Sequence, residues 1–450
     1  MPQIPPMPPE TDTAPVPGRK LPSVVRALRH RNYRLFFTGQ LVSLIGTWMQ
    51  SVAQSWLVYR LTGSSLLLGA VGFASQIPVF LLAPVGGAVA DRRSRRALLI
   101  ATQITAMTLA FLLAALTLSD RIRIEHIFVM ASLLGVVNAF DIPTRQAFVV
   151  EMVGREDLPN AIALNSSIFN GARIVGPAIA GVLVGAIGEG WCFFANAVSF
   201  LAVITSLVAI RVAPRAPAPA VASALAHVFE GFRFVARTRA MRALILLIGL
   251  VSLAGMPYVV LMPIFADRIL RGGPSALGLL MGASGLGAVI GALLLAARRG
   301  LHGLGRWIAL ACAGFGIAIT LFSFSRSLWL SCLLLVPAGF SLMVQMAGTN
   351  TLVQSMVPDA LRGRVMAVYS MMFMGLAPLG ALFAGWLADR IGAPSTVAGG
   401  GLCCVIGAAV FAARLPALRG EARELIVAQQ MAAGAPPEAS SHAVKPTGRG

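Results

Sequence analysis

Apolar residues in this chain fall into long blocks separated by short polar loops. Six lie at Leu35–Val58, Leu66–Ala90, Ala97–Leu118, Ile127–Phe148, Pro159–Ile187 and Trp191–Ile210. Six more follow at Ala243–Ala266, Ser275–Ala297, Trp307–Phe324, Leu328–Leu352, Val365–Ala388 and Ser395–Ala413. Each has 18 or more residues and few charges. A helix needs about 20 such residues to cross a hydrocarbon core about 30 Å thick. Lipid offers no partner to a free backbone amide, so a spanning segment must be a helix or part of a closed barrel. Barrel strands alternate in polarity over about ten residues, and these blocks do not alternate. The pattern predicts an all-α membrane protein with twelve transmembrane helices.

Composition narrows this further. Of 450 residues, 57% are hydrophobic and 12% charged, against about 25% charged in soluble domains. That deficit excludes a soluble enzyme, a disordered chain and a disulfide scaffold. The net charge of +19 comes mostly from arginine in loops. With the N-terminus inside, 28 basic residues lie in cytoplasmic segments and 7 in outer loops, and Arg173 sits inside a span. Such a bias predicts a multi-pass protein of the cytoplasmic membrane with both termini inside. Its basic loops would face anionic membrane lipids rather than nucleic acid. The five cysteines lie in apolar runs and read as small free hydrophobes.

The expected organisation is a disordered cytoplasmic tail at 1–33, a six-helix bundle at 34–211, a cytoplasmic linker at 212–242, a second bundle at 243–414 and a disordered tail at 415–450. The proline-rich start has no signal-peptide core. In the linker, the basic stretch Phe232–Arg242 is predicted to lie on the inner leaflet. The bundles repeat. Gly135–Gly188 overlays Gly339–Gly392 without a gap, and Gly87 and Arg95 fall on Gly291 and Arg299, all at an offset of 204 positions. One offset shared by two separated segments points to duplicated six-helix halves.

Candidate chemistry concentrates at the cytoplasmic edge. The loop after the second span reads Gly87-Ala-Val-Ala-Asp91-Arg92-Arg93-Ser94-Arg95-Arg96. Gly87 is expected to let helices approach, and Asp91 to pair with a base or cap the nearby start of span 11. Asp141 and Arg145 stand four apart and should pair on one helix face. Arg145 is equally suited to Asp91, giving a cluster Asp91–Arg145–Asp141, with Glu151 beside it and Glu156 and Asp157 in a solvated loop. Intramembrane charges are costly and therefore informative. Asp141 is the candidate proton-coupling group, since burial raises a carboxyl pKa toward the working range. Arg173, at mid-depth and too far from Asp141 to pair with it, is a candidate for an anionic substrate group or for bonds to backbone carbonyls. Gln40, Gln54, Asn165, Asn170 and Gln345 are candidates to line a substrate cavity or to bond between helices. So are Gln50, Gln76 and Asn350.

The loop motif is similar to the signature of the major facilitator superfamily: glycine, three residues, aspartate, a base, one residue, glycine, one residue, two bases. Ser94 replaces the second glycine, and the repeat copy has Leu295 in place of Asp91. Gly171-Ala-Arg173-Ile-Val-Gly176-Pro177-Ala-Ile-Ala-Gly181 is similar to the glycine–proline antiporter motif of drug exporters in that superfamily. Asp141-Ile-Pro143-Thr-Arg145-Gln146 and Asn160–Asn165 resemble its transmembrane secretion effector branch, which is enterobactin-exporter-like and macrolide-efflux-like. The resemblance implies two halves rocking about a midplane site, in a monomer. It assigns an inner gate to Gly87, Asp91, Arg92, Arg95, Arg96 and Arg145, and a helix bend to Gly171, Gly176, Pro177 and Gly181. There is no phosphate-binding loop, metal-ligand spacing or nucleophile–base pair, so no cofactor and no enzyme activity are expected. The expected function is proton-coupled export of a small amphipathic molecule: a siderophore, drug or secondary metabolite. A metabolite or siderophore importer, or a non-transporting sensor or scaffold, are the alternatives.

Overall fold

A computed structural model describes residues 23–154, 156–211, 224–298, 300–301 and 303–432. Most of the two tails, the start of the linker, Arg155, Arg299 and His302 lie outside these residues. Twelve long helices follow in order: α1 (Arg31–Thr62), α2 (Ser65–Arg92), α3 (Arg95–Leu118), α4 (Ile124–Val153), α5 (Leu158–Ile187) and α6 (Glu189–Ala209) form a first set. A second set holds α7 (Arg239–Ile269), α8 (Gly273–Ala297), α9 (Leu304–Phe324), α10 (Leu328–Met356), α11 (Asp359–Ile391) and α12 (Ala393–Ala432). A linker helix, Ala224–Arg237, joins them. Eleven of the twelve are long and apolar enough to cross a membrane. The other is α1, which has the length but is diluted by Thr38, Gln40, Ser43, Thr47, Gln50, Ser51, Gln54 and Ser55.

The offset of 204 reappears in the helix bounds. It relates the starts of α4 and α10, the ends of α5 and α11, and the starts of α6 and α12. The sets differ in one respect. Helix α7 has π-helical segments at Val251–Gly255 and Phe265–Ile269, and α11 has one at Met371–Gly375. Their counterparts α1 and α5 are α-helical throughout.

Glycines set the closest contacts, because helices in lipid gain from backbone approach rather than from a hydrophobic force. Within the first set, α2 meets α4 at Gly86, whose missing side chain makes room for the Ala139 carbonyl. In the second set, Gly287 and Gly339 do the same for α8 and α10. Between the sets, Gly181 of α5 lies against Gly278 of α8, while Gly69 of α2 and Gly385 of α11 take each other's neighbouring backbone. These four glycines lie toward the end of the bundle opposite the arginine-rich loops. Buried apolar residues follow the same division. One cluster unites the second set with the arginine-poor end of the first, including Trp56, Val71, Ile127 and Val184. The arginine-rich end of the first set, with Tyr33, Phe36, Phe148 and Leu207, forms a separate cluster. The two sets are thus fused at one end and have separate cores at the other.

Three expectations change. The close approach on α2 belongs to Gly86; a side chain at Gly87 would meet nothing within 4 Å, and the same holds for Gly171. The chain beyond 414 is helical to Ala432, with Pro416 accommodated inside α12, and Glu421 accepts the free amides of Arg239 and Ala240 at the start of α7 (3.1 and 2.8 Å). The segment ahead of α1 is docked: Ser23–Arg29 forms a 3-10 helix, and the buried Ala27 amide donates to Asn160 at 2.7 Å.

These glycine environments can be tested by alanine substitution. Gly86→Ala should destabilise by about 1–3 kcal/mol through overpacking. Gly87→Ala and Gly171→Ala should be neutral or stabilising by about 0.5–1 kcal/mol from helix propensity. Thermal unfolding in detergent separates the two classes.

Candidate functional site

The residues expected to cluster around Asp91 and Asp141 form two separate networks. In the first, Asp91 at the end of α2 pairs with Arg95 at 3.0 Å. Arg95 also reaches Glu151 of α4 at 2.9 Å and the carbonyls of Ala90 and Ala147. Arg96 donates to the carbonyls of Leu207 and Val208 at 2.7 and 2.6 Å, where a cation complements the C-terminal end of α6. In the second network, Asp141 is 2% exposed and accepts from Arg145 (2.6 Å), Thr102 (2.9 Å) and Gln103 (2.8 Å). Pro143 does not break this turn, because α4 stays helical through it. Arg145 also donates to Gln40 of α1 at 3.1 Å. The expected cluster Asp91–Arg145–Asp141 is therefore split: Arg145 serves Asp141 and Gln40, and Arg95 serves Asp91. Asp91 does not cap α11, which starts at Asp359 and whose Arg364 pairs with Glu230 of the linker helix. Arg92 is exposed.

Asp157 is buried rather than solvated. It bonds His30 (2.7 Å), Arg26 (2.5 Å) and Arg29 (2.8 Å) of the segment leading into α1. The His30 hydrogen bond, aided by Arg26 and Arg29, outweighs burial and holds its carboxyl below the ordinary value of 3.8. Two asparagines of the Asn160–Asn165 stretch anchor the same region, Asn160 through Ala27 and Asn165 by accepting from Tyr33 at 3.1 Å.

At mid-depth, Arg173 of α5 is half-buried over the Trp48 ring of α1, 5.9 Å from its centroid. Pro177 lacks the N–H that would bond the Arg173 carbonyl four residues back, and that carbonyl faces Gly285 of α8. Gly176 packs on Ile45, Trp48 and Met49 of α1, and Gly181 on α8. The bend motif thus seats Arg173 between α1 and the second set. Gln54, Asn165, Asn170 and Asn350 are half-buried and Gln76 is exposed. Gln40, Gln50 and Gln345 lie inside their own sets, Gln50 accepting from Asn196 at 2.6 Å.

Residues 23–441 match the family model described as transmembrane secretion effector. The chain belongs to that family of major facilitator transporters. The chain is 28% identical over 383 residues to the Staphyloferrin A transporter of Staphylococcus aureus (strain NCTC 8325 / PS 47), covering 84% of this chain and 95% of that one. It is 29% identical over 372 residues to the multidrug efflux pump Tap of Mycolicibacterium fortuitum (80% and 90% covered). It is 25% identical over 341 residues to the enterobactin exporter EntS of Shigella boydii serotype 4 (strain Sb227) (76% and 81%). Its fold resembles a bacterial homologue of the iron transporter ferroportin in an inward-facing state, with TM-score 0.65 at 18% identity and 85% and 98% coverage. The nucleoside transporter NupG gives TM-score 0.60 at 15% identity, with 87% and 98% coverage. The chain is a transporter with siderophore and drug-efflux relatives, and it is not an enzyme.

The Asp141 network predicts a specific mutational pattern. Arg145→Ala strands the buried Asp141 carboxylate, and loss of one partner of a buried pair costs about 3–5 kcal/mol; the double variant Asp141→Leu, Arg145→Met should recover much of that loss, read as detergent-extracted monodisperse protein. For Asp157, the folded carboxyl has the lower pKa. Its stabilisation is full above 3.8 and is lost as pH falls through the folded-state value. Asp157→Asn should flatten this acid limb of the melting temperature, read by thermal unfolding between about pH 3 and 5.

Proposed function

We propose that the protein exports a small amphipathic molecule with an acidic group, a siderophore, drug or secondary metabolite, in exchange for protons by alternating access. It works as a monomer in the cytoplasmic membrane with both termini inside. The observation carrying this reading is that the two sets are fused at the arginine-poor end and have separate cores at the arginine-rich end. With arginine-rich loops inside, that arrangement is open to the cytoplasm, where an exported molecule must enter. Export is the direction named for the efflux pump Tap and for EntS.

The residue roles follow from this orientation. Arg173, held over Trp48 between the sets, receives the anionic group of the substrate, with Gln54, Asn165 and Asn170 as neutral polar contacts. Gln40 and Gln345, buried within their sets, support packing instead. Gly87, Asp91, Arg92, Arg95 and Arg96 form the inner gate. In the present state Asp91 is held by Arg95 on its own side, leaving the cytoplasmic mouth unlatched. Asp141 is the carboxylate through which protons couple, exchanging its bond to Arg145, four residues on in the same helix.

Reconstitution in proteoliposomes tests the reading. An imposed proton gradient should drive accumulation of catecholate or carboxylate siderophores in inside-out vesicles, and a protonophore should abolish it. Accumulation indifferent to the protonophore removes antiport, and uptake confined to right-side-out vesicles makes the protein an importer. Arg173→Ala should reduce transport of anionic substrates by about ten-fold or more, through loss of a charge-assisted contact, at unchanged membrane abundance.

A further inference from the structure

The geometry points to a latch at the arginine-poor end, in which the second set closes on the α1–α2 turn by supplying one charge to each helix end; its meaning as an outer gate rests on the transport reading above. Asp389, near the end of α11, accepts from the backbone amides of Ser65 and Leu66 at 2.8 and 3.2 Å and from the Ser64 hydroxyl at 3.0 Å. Ser64 accepts the Leu67 amide at 3.3 Å. The first three unpaired amides of α2 are thereby satisfied, two of them by an acid from the other set. On the other side of the turn, α1 ends at Gly63, which has φ +61°. The Gly63 carbonyl accepts from Arg268 of α7 at 3.2 Å, and the Arg268 guanidinium lies over the Tyr59 ring at 5.7 Å. Tyr59 itself donates to Asp267 of α7 at 3.0 Å.

The arrangement matches charge to helix polarity twice. The positive N-terminal end of α2 receives a carboxylate, and the carbonyl end of α1 receives a guanidinium. Both charges come from the second set, both targets belong to the first, and the four residues Gly63–Leu66 hold all the acceptor and donor groups on the turn. Such bonds exist only while the ends are together, because the partners belong to bodies that separate when this end opens. Gly69 and Gly385 let α2 and α11 come close enough for Asp389 to reach. Asp389 and Arg268 are positioning residues: they touch no substrate and set how much of the protein is closed on this side.

The test reads conformation directly, with spin labels at Arg121→Cys and Arg326→Cys for the arginine-poor end and at Arg93→Cys and Gly363→Cys for the arginine-rich end. Cys332 and Cys403 are replaced by alanine, and the protein is held in nanodiscs. Asp389→Asn should enlarge the long-distance population at the arginine-poor end by about five-fold, the loss expected for one charge–dipole contact, and shorten distances at the other end. Ser65→Pro gives an independent variant. Proline is tolerated at the first position of a helix, and the preceding Ser64 is extended, so the variant removes the Ser65 amide and hydroxyl from Asp389 and leaves the Leu66 amide in place. The same shift in Ser65→Pro supports the latch even if Asp389→Asn folds poorly. An unsubstituted protein that shows two distances at both ends, with a ratio unmoved by either variant, overturns the latch alone. One unchanging distance at both ends in every variant overturns the latch and alternating access together.

Discussion

Helices in a bilayer gain nothing from being apolar toward one another, so where they touch depends on how closely their backbones can approach and on which polar groups need a partner. In this protein that constraint is met unevenly between the two six-helix sets. Gly181 against Gly278, and Gly69 with Gly385, bring backbones together toward one end. The interset hydrogen bonds gather there too, from Tyr59 to Asp267, from Arg268 to Gly63 and from Ser65 to Asp389. Toward the opposite end, Arg95 pairs with Asp91 and Glu151, and Arg145 with Asp141, inside the first set, and Arg364 pairs with Glu230 of the linker helix. The molecule is therefore a hinged pair rather than one barrel of helices, and the hinge follows from where the small residues are.

The same accounting explains the charged loops. Arginines of these loops complete groups that their own set would otherwise leave open. Arg96 takes the last carbonyls of α6, Arg95 holds Asp91 and Glu151, and Arg145 neutralises Asp141. Glu421 from the extended α12 does the corresponding work at the start of α7, and Glu230 of the linker helix holds Arg364 of α11. The basic loops are thus part of the fold as well as a signal for orientation.

Much of this was readable from sequence, for identifiable reasons. Block length and polarity fix helices because lipid removes the alternatives, and the 204-residue offset survives because duplicated helices keep their length and ends. The Asp141–Arg145 pair was legible from four-residue spacing alone. The misreadings share a cause: position along the chain does not tell which face of a helix meets a neighbour. Gly86 and Gly87 are adjacent, but only the first faces α4. Asp157 reads as a loop acid until the basic segment Arg26–His30 folds over it from 127 to 131 positions away. The latch residues Asp389 and Arg268 carried a faint signal, as charges at the last turn of apolar spans. Their partners are backbone groups, which have no letter in a sequence.

The two halves share an ancestry of register but not of stiffness, and that difference bears on how the hinge can move. Helices α1 and α5 are regular, whereas α7 and α11 each widen into a π-helical turn near mid-depth. Such a turn leaves carbonyls without their usual partner. Here the Ser252 hydroxyl in the α7 turn donates to the Phe373 carbonyl in the α11 turn at 2.5 Å, so the two irregular segments satisfy each other. Met371, Met372 and Met374 occupy the α11 turn, and methionine accepts many packings at little cost. A closed arginine-poor end needs α7 and α11 to reach across to α1 and α2 with Arg268, Asp267 and Asp389. The turns at Val251–Gly255 and Met371–Gly375 lie between those residues and the arginine-rich ends of their helices, and the second π-helical segment of α7, Phe265–Ile269, carries Asp267 and Arg268 themselves.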